Sequence, residues 1–195
     1  CWVLAGVAKC ISQLEDNVLL GVAHALIRSM NHSEFVVARG AAVAMMKLSE
    51  FAAARLGVTD VPSLLASLHQ RGGPTPSPSL RPGQEHESTI LLRALMFYVK
   101  CESREQTESA CSSLAEPVIA AMNISLHHGS SEEYVRRLVD LDIVLQAIKR
   151  AYEHIHSPSL VLAELSKSAV IVVEQTSPRI LHHEMVEERF KIGWA

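Results

Sequence analysis

Apolar residues recur with a helical period along most of this chain. They step by three or four positions through residues 4–14, 19–30, 38–52, 91–98, 114–122, 134–152 and 161–172. No segment alternates apolar and polar residues for long enough to form a strand. The pattern predicts an all-α protein of about nine helices.

Residues that favour helix ends fall between the apolar stripes. Predicted N-caps are Ser33, Asp60, Ser157 and Ser177, of which the last two precede a proline suited to the first helical position. Ser103 and Gln106 have the spacing of a capping box. We expect Gly57 to end a helix by taking the left-handed conformation. These signals indicate short connections between helices.

A segment rich in Pro, Gly and Ser, residues 72–86, interrupts the helical pattern. It separates helix pairs in residues 1–71 from helix pairs in residues 87–195, and it is either a loop within one continuous solenoid or a junction where residues are missing. Ser77, which precedes a proline, is a candidate phosphorylation site, although a solvated loop is the simpler interpretation. Because the sequence opens on Cys1 within an apolar helical pattern, we expect it to be part of a longer chain.

The composition argues against three classes of protein: disordered, nucleic-acid-binding and membrane-spanning. The 195 residues include 48% hydrophobic residues, which argues against extensive disorder. Eighteen Lys and Arg oppose 21 Asp and Glu, and this near balance argues against direct nucleic-acid binding. The longest apolar stretch, residues 160–173, contains Glu164 and Lys167, so no membrane span is expected.

Residues capable of catalysis or metal binding do not form a recognisable motif. Histidine pairs occur at His127 with His128, His154 with His156, and His182 with His183. None has a Cys or carboxylate at a metal-ligand spacing, and the four cysteines lie in apolar patterns without a CxxC pair. No nucleophile motif or phosphate loop is present. We therefore predict no catalytic, cofactor-binding or metal site, no cofactor, and a protein that is not an enzyme.

Carboxylates cluster at Glu102, Glu105, Glu108 and Glu116, and again at Glu184, Glu187 and Glu188. Solvated helix faces explain such clusters most simply. The alternative is an acidic lining that attracts basic protein cargo.

Residues 17–57 hold two helices and a turn, close to the ~40–47 residues of a HEAT or armadillo unit. The run that begins Phe35-Val-Val-Ala-Arg39 resembles the second helix of a HEAT repeat. Residues 3–9, 19–30 and 37–50 further resemble the central repeats of the importin-β (karyopherin-β) superfamily, especially its transportin-SR and importin-thirteen branch. Residues 91–95, 111–118 and 138–144 are similar to later repeats of that branch.

This resemblance implies a HEAT-repeat α-solenoid that acts as a nuclear transport receptor. Such a receptor binds protein cargo on its inner helices and is regulated by a Ran-type GTPase, which the family contacts mainly through repeats outside this segment. Nucleoporins are further implied partners, and the implied location is nucleus and cytoplasm, between which the receptor shuttles. The alternative is a HEAT or armadillo scaffold subunit of a large assembly unrelated to transport.

Overall fold

The computed structural model describes residues 2–71, 85–128 and 131–180. All regular structure within these ranges is helical, and they contain no strand. The all-α prediction is therefore confirmed for this part of the chain. Within the same ranges, no helix combines the length and the apolar composition needed to cross a membrane.

Nine α-helices and one 3₁₀ turn make up the described ranges. They are α1 (Trp2–Gly6), α2 (Ala8–Ile11), α3 (Asp16–Ser29), α4 (Phe35–Leu56), α5 (Val61–Gln70), α6 (Glu87–Leu95), the 3₁₀ turn (Met96–Tyr98), α7 (Arg104–His128), α8 (Ser131–Ile155) and α9 (Leu160–Ile180). The chain divides into two compact units, Cys1–Ala110 and Cys111–Ala195. Helix α7 runs across the boundary between them.

The first unit is organised around α4. This helix packs against α1, α2, α3 and α6, while α5 packs against α3 and α6. Small side chains allow the close contact: Ala38, Ala41 and Ala42 are fully buried along α4, as is Met45. The predicted stripe of residues 38–52 is thus the core of this unit, because close-packed helices gain most from burying a continuous apolar face.

The first predicted stripe, residues 4–14, is not a core stripe. The helix breaks at Val7, where the backbone leaves helical geometry at φ −110° and ψ 15°. Ala8 is buried beside α4, whereas Val7 and Leu14 are exposed. A second local error lies in α9, where Leu162 is buried and the predicted Val161 is exposed. Neighbouring apolar residues left two stripes possible there, and packing selects one.

The second unit contains the packed pair α8 and α9. Four residues of α7 form a buried stripe at helical spacing: Cys111, Ala115, Val118 and Met122. The central part of α8 buries Leu141, Val144 and Ile148, and α9 buries Leu165 and Ala169. The stripe predicted for residues 134–152 is therefore largely a core face.

Several helix ends differ from prediction. Helix α4 follows Glu34 rather than Ser33, and α9 is capped by Ser159, whose Oγ accepts a hydrogen bond from the Leu162 amide at 3.1 Å. The predicted start at Ser177 is wrong, because α9 continues through it to Ile180. A serine caps a helix only where the preceding chain turns away, and the pattern alone does not reveal that turn.

The remaining predicted helix ends are partly correct. Ser103 and Gln106 form the predicted capping box, with each side chain accepting a hydrogen bond from the other residue's amide. Asp60 does precede α5, but its carboxylate binds another helix instead of capping. Gly57 ends α4 with φ −66°, which is not left-handed. An added Cβ there would lie 2.8 Å from the Ala53 carbonyl oxygen, so close packing rather than backbone conformation favours glycine.

Candidate functional site

Four charged residues form a polar group between α4 and α6 that is buried at one end; we call Arg39, Glu85, Glu87 and Arg93 the charged cluster. Arg39 lies within the apolar run of α4, and Glu87 is the first residue of α6. Arg39 Nη1 donates to Glu87 Oε1 at 2.6 Å and to the Glu85 carbonyl at 2.8 Å. Arg93 Nη2 donates to Glu85 Oε1 at 2.6 Å. The cluster contains equal positive and negative charge and joins two helices.

Burial makes the Arg39–Glu87 ion pair unlike an ordinary surface pair. The Glu87 side chain is 0% exposed and that of Arg39 is 11% exposed. The second carboxylate oxygen, Glu87 Oε2, is buried without a hydrogen-bond partner. A buried carboxylate held by one donor depends strongly on that donor, because desolvation is costly and only partly offset.

Arg55 forms a second polar link to α4. Its guanidinium donates to the Ser12 and Leu14 carbonyls and to the Asp16 carboxylate. Ser12 and Leu14 lie in the connection from α2 to α3, and Asp16 is the first residue of α3, so one side chain holds this connection to α4. Planar guanidinium groups suit this task because their donors have fixed directions.

Two further polar contacts join helices of the first unit. His24 of α3 lies 2.9 Å from Asp60 Oδ1, at the start of α5. Ser49 of α4 lies 2.9 Å from the Tyr98 hydroxyl, and this pair is buried. Burial raises the pKa of Tyr98 to about 12, and the hydrogen bond between Tyr98 and Ser49 opposes part of that rise. The helices of this unit are therefore joined by specific polar contacts as well as by apolar packing.

Of the histidine pairs singled out from the sequence, the structure describes the side chains of His154 and His156, and these belong to no group of three metal-ligand residues. His154 and His156 are exposed near the end of α8, and His156 has a left-handed φ of 52°. The side chains of His127 and His128 and the whole of His182 and His183 lie outside the described residues. Within the part of the chain that the structure describes, no three His, Cys, Asp or Glu residues are placed to hold a metal ion.

The predicted carboxylate and cysteine positions show mixed environments. Glu105 and Glu116 are exposed, while Glu108 accepts a hydrogen bond from Arg104 at 2.8 Å. The second acidic group, at residues 184–188, lies outside the described ranges. Burial raises the pKa of the Cys111 thiol to about 11. Cys10, in contrast, is exposed, although it lies in an apolar helical pattern like the other cysteines.

Sequence reasoning missed the charged cluster, the Arg55 contacts and the His24–Asp60 pair. One signal was available: Arg39 is the only charged residue in the apolar run of residues 35–46. A charged residue in such a run either faces solvent or has a buried partner. Its partner, 48 positions away in sequence, could not be identified from spacing.

Comparison of the chain with protein-family models, curated proteins and solved structures gives no match.

Proposed function

We propose that this chain is a segment of a HEAT-type α-solenoid in a nuclear transport receptor of the importin-β type. The observation that carries the proposal is the order of helix contacts in the first unit, combined with the sequence resemblance of residues 3–9, 19–30 and 37–50. The proposed activity is protein binding, with cargo on the solenoid and a Ran-type GTPase as regulator.

The contact order supports stacked helix pairs. Helices α3 and α4 pack together, and so do α5 and α6; between these pairs, α3 contacts α5 and α4 contacts α6. The first helices of the two pairs thus contact each other, as do the second helices, and α4 also contacts α1 and α2. A solenoid, in which each helix pair contacts its neighbours, would produce contacts in this order, and they therefore support the proposal.

Polar side-chain contacts join successive helix pairs and can therefore influence the distance between those pairs. Arg39 joins α4 to Glu87 of α6, and His24 joins α3 to Asp60 at the start of α5. Each link connects the first pair to the second. In a solenoid, small displacements at each such interface add along the repeats, which is the physical basis for curvature that responds to ligands.

Exposed carboxylates indicate which chemical class of protein cargo we propose for this chain. Glu102 and Glu105 are exposed before and within the first turn of α7. Their field extends over about 8 Å at physiological ionic strength, enough to attract basic segments of a protein cargo. We propose basic protein segments as the cargo class.

The experiment that tests the proposal is binding of a Ran-type GTPase to the longer receptor that the resemblance implies. Immobilised receptor should retain the GTPase loaded with a GTP analogue and not the GDP form. The matched control is the same matrix carrying an unrelated α-solenoid. Failure to retain either nucleotide form would overturn the transport proposal and favour the alternative, a static HEAT or armadillo scaffold.

A further inference from the structure

Helix α6 is capped by a histidine rather than by Ser, Thr, Asp or Asn, the residues that usually occupy this position. His86 precedes the helix with extended backbone, at φ −67° and ψ 148°, and its carbonyl accepts a hydrogen bond from the Ile90 amide at 3.1 Å. Its ring nitrogen Nδ1 accepts a hydrogen bond from the Ser88 amide at 3.2 Å. The ring thus satisfies a backbone N–H for which the first turn of a helix has no partner.

This hydrogen bond fixes the protonation state of the ring. A backbone N–H can only donate, so Nδ1 carries no proton and the proton of the neutral ring is on Nε2. The Ser88 hydroxyl, 2.7 Å from the same nitrogen, is then a second donor to it. A further proton can bind only at Nδ1, where it takes the lone pair that both Ser88 groups use.

The charges next to His86 do not compensate for this loss. Its neighbours Glu85 and Glu87 form ion pairs with Arg93 and Arg39, so two guanidinium groups balance the two carboxylates of the charged cluster. A protonated ring would also lie at the positive end of the α6 dipole, which disfavours a cation.

The elements that pack against α6 are α4, α5 and the 3₁₀ turn. Their titratable and charged side chains are Arg39, Lys47, Glu50 and Arg55 on α4, His69 on α5, and Tyr98 on the 3₁₀ turn. Among these residue types, histidine is the one whose charge ordinarily changes between pH 5 and 8. His69 therefore needs its own variant in any test of His86.

We propose that His86 is a pH-sensitive cap, which holds the start of α6 when its ring is neutral and releases it when the ring is protonated. Arg39 of α4 binds this same end of α6, through the Glu87 carboxylate and the Glu85 carbonyl. Protonation should therefore loosen the contact between the pair α3 and α4 and the pair α5 and α6. This inference does not depend on the proposed transport function.

Linkage gives the direction of the pH dependence. The unfolded chain binds a proton at this ring without losing a cap, so it takes up the proton more readily than the folded chain does. Stability rises with pH wherever the unfolded state binds more protons. The contribution of the cap is therefore complete above about pH 6.5, the ordinary histidine value, and is lost as pH falls below it.

His86→Asn is the decisive variant, because asparagine caps helices and does not titrate. Urea unfolding at pH 8 and pH 5 gives the equilibrium constant of unfolding for each chain. Acidification should raise this constant about two- to thirtyfold more in wild type than in His86→Asn, the range that one cap contributes. Titrating groups common to both chains cancel in this comparison. An equal response of the two chains to pH would overturn the proposal.

Two further variants test whether the effect belongs to His86. Replacing His86 in a His69→Asn chain should remove the same factor as in wild type. The matched control is His156→Asn, at an exposed histidine outside the first unit, and its response to pH should equal that of wild type. A factor that disappears in the His69→Asn chain, or the same reduction in His156→Asn, would overturn the proposal.

The wild-type chain supplies a measurement that needs no variant. Nitrogen-15 NMR of the His86 ring should place the proton on Nε2 at pH 8. Protection of the Ser88 amide from hydrogen exchange, corrected for the intrinsic rate, should fall severalfold when the ring becomes protonated, and more than that of Ile90. A proton on Nδ1 at pH 8, or equal Ser88 protection with the neutral and the protonated ring, would overturn the proposal.

Discussion

Replacing Arg39 with methionine should destabilise the chain far more than replacing its partner Glu87 with glutamine. In Arg39→Met, the Glu87 carboxylate remains fully buried and loses the hydrogen bond to Oε1, while Oε2 already has no partner. In Glu87→Gln, the buried group is neutral and its carbonyl still accepts from Arg39. The two variants differ because Arg39→Met leaves a charge on a fully buried side chain, whereas Glu87→Gln leaves a charge on Arg39, which is partly exposed.

The expected magnitudes are well separated. Removing one partner of a buried ion pair costs about 3–5 kcal/mol, because the remaining charge is uncompensated. Replacing the ion pair by a hydrogen bond from the Arg39 cation to a neutral amide costs about 1–2 kcal/mol, because the guanidinium is partly exposed and still donates to the Glu85 carbonyl. Replacing both residues by apolar ones should cost less than Arg39→Met alone, since no buried charge remains. A double-mutant cycle of Arg39→Met and Glu87→Leu therefore measures a large favourable coupling.

Urea unfolding at pH 7, followed by circular dichroism, provides the free energies of unfolding. The matched control is Arg93→Met, which removes the more exposed pair with Glu85; that pair should contribute at most about 1 kcal/mol. The reasoning is refuted if Arg39→Met costs less than about 1 kcal/mol. It is refuted equally if the double variant loses the sum of the two single losses.

Three further predictions concern other parts of the chain. Leu141→Asp should cost several kcal/mol by burying an unpaired charge, whereas Leu160→Asp, at an 84% exposed position, should change the melting temperature little. Burial raises the pKa of Tyr98 to about 12, so the unfolded chain loses this proton at a lower pH than the folded chain. The free energy of unfolding should therefore fall by about 2–3 kcal/mol as pH rises from 10 to 12. Urea titrations of Tyr98→Phe should lack this loss. His156→Gly should raise stability by about 0.5–1 kcal/mol in thermal unfolding, because its φ of 52° favours glycine, and His156→Ala should give no such gain.

Helical periodicity was sufficient to predict the class of fold and most of the core. Residues 38–52 illustrate why: a long stripe of small and aliphatic side chains has one face that can be buried, and α4 buries it. Periodicity was insufficient for residues 4–14. Their stripe is equally regular, but the helix breaks at Val7, so α4 half-covers Leu4 and Ile11 and leaves Val7 and Leu14 exposed. Burial depends on a neighbour as well as on the pattern.

The polar contacts were beyond sequence reasoning for a related reason. Arg39 and Glu87 are remote in sequence, and their contact exists only after α4 and α6 have packed. Asp60 has the chemistry of an N-cap, yet its carboxylate contacts His24 because the packing of α3 beside α5 offers that alternative. Local spacing identifies which residues are able to form such contacts, and tertiary packing selects their partners.

The proposal of a regulated transport receptor is tested most directly by titrating a basic cargo peptide onto the longer receptor with and without GTP-loaded Ran-type GTPase. Two ligands that favour different curvatures of one solenoid must change each other's affinity reciprocally. A coupling of ~1–3 kcal/mol predicts a ~5–150-fold change in the cargo dissociation constant, with the same factor for the GTPase when cargo is saturating. A cargo affinity that is identical with the GTP form, the GDP form and no GTPase would contradict the account.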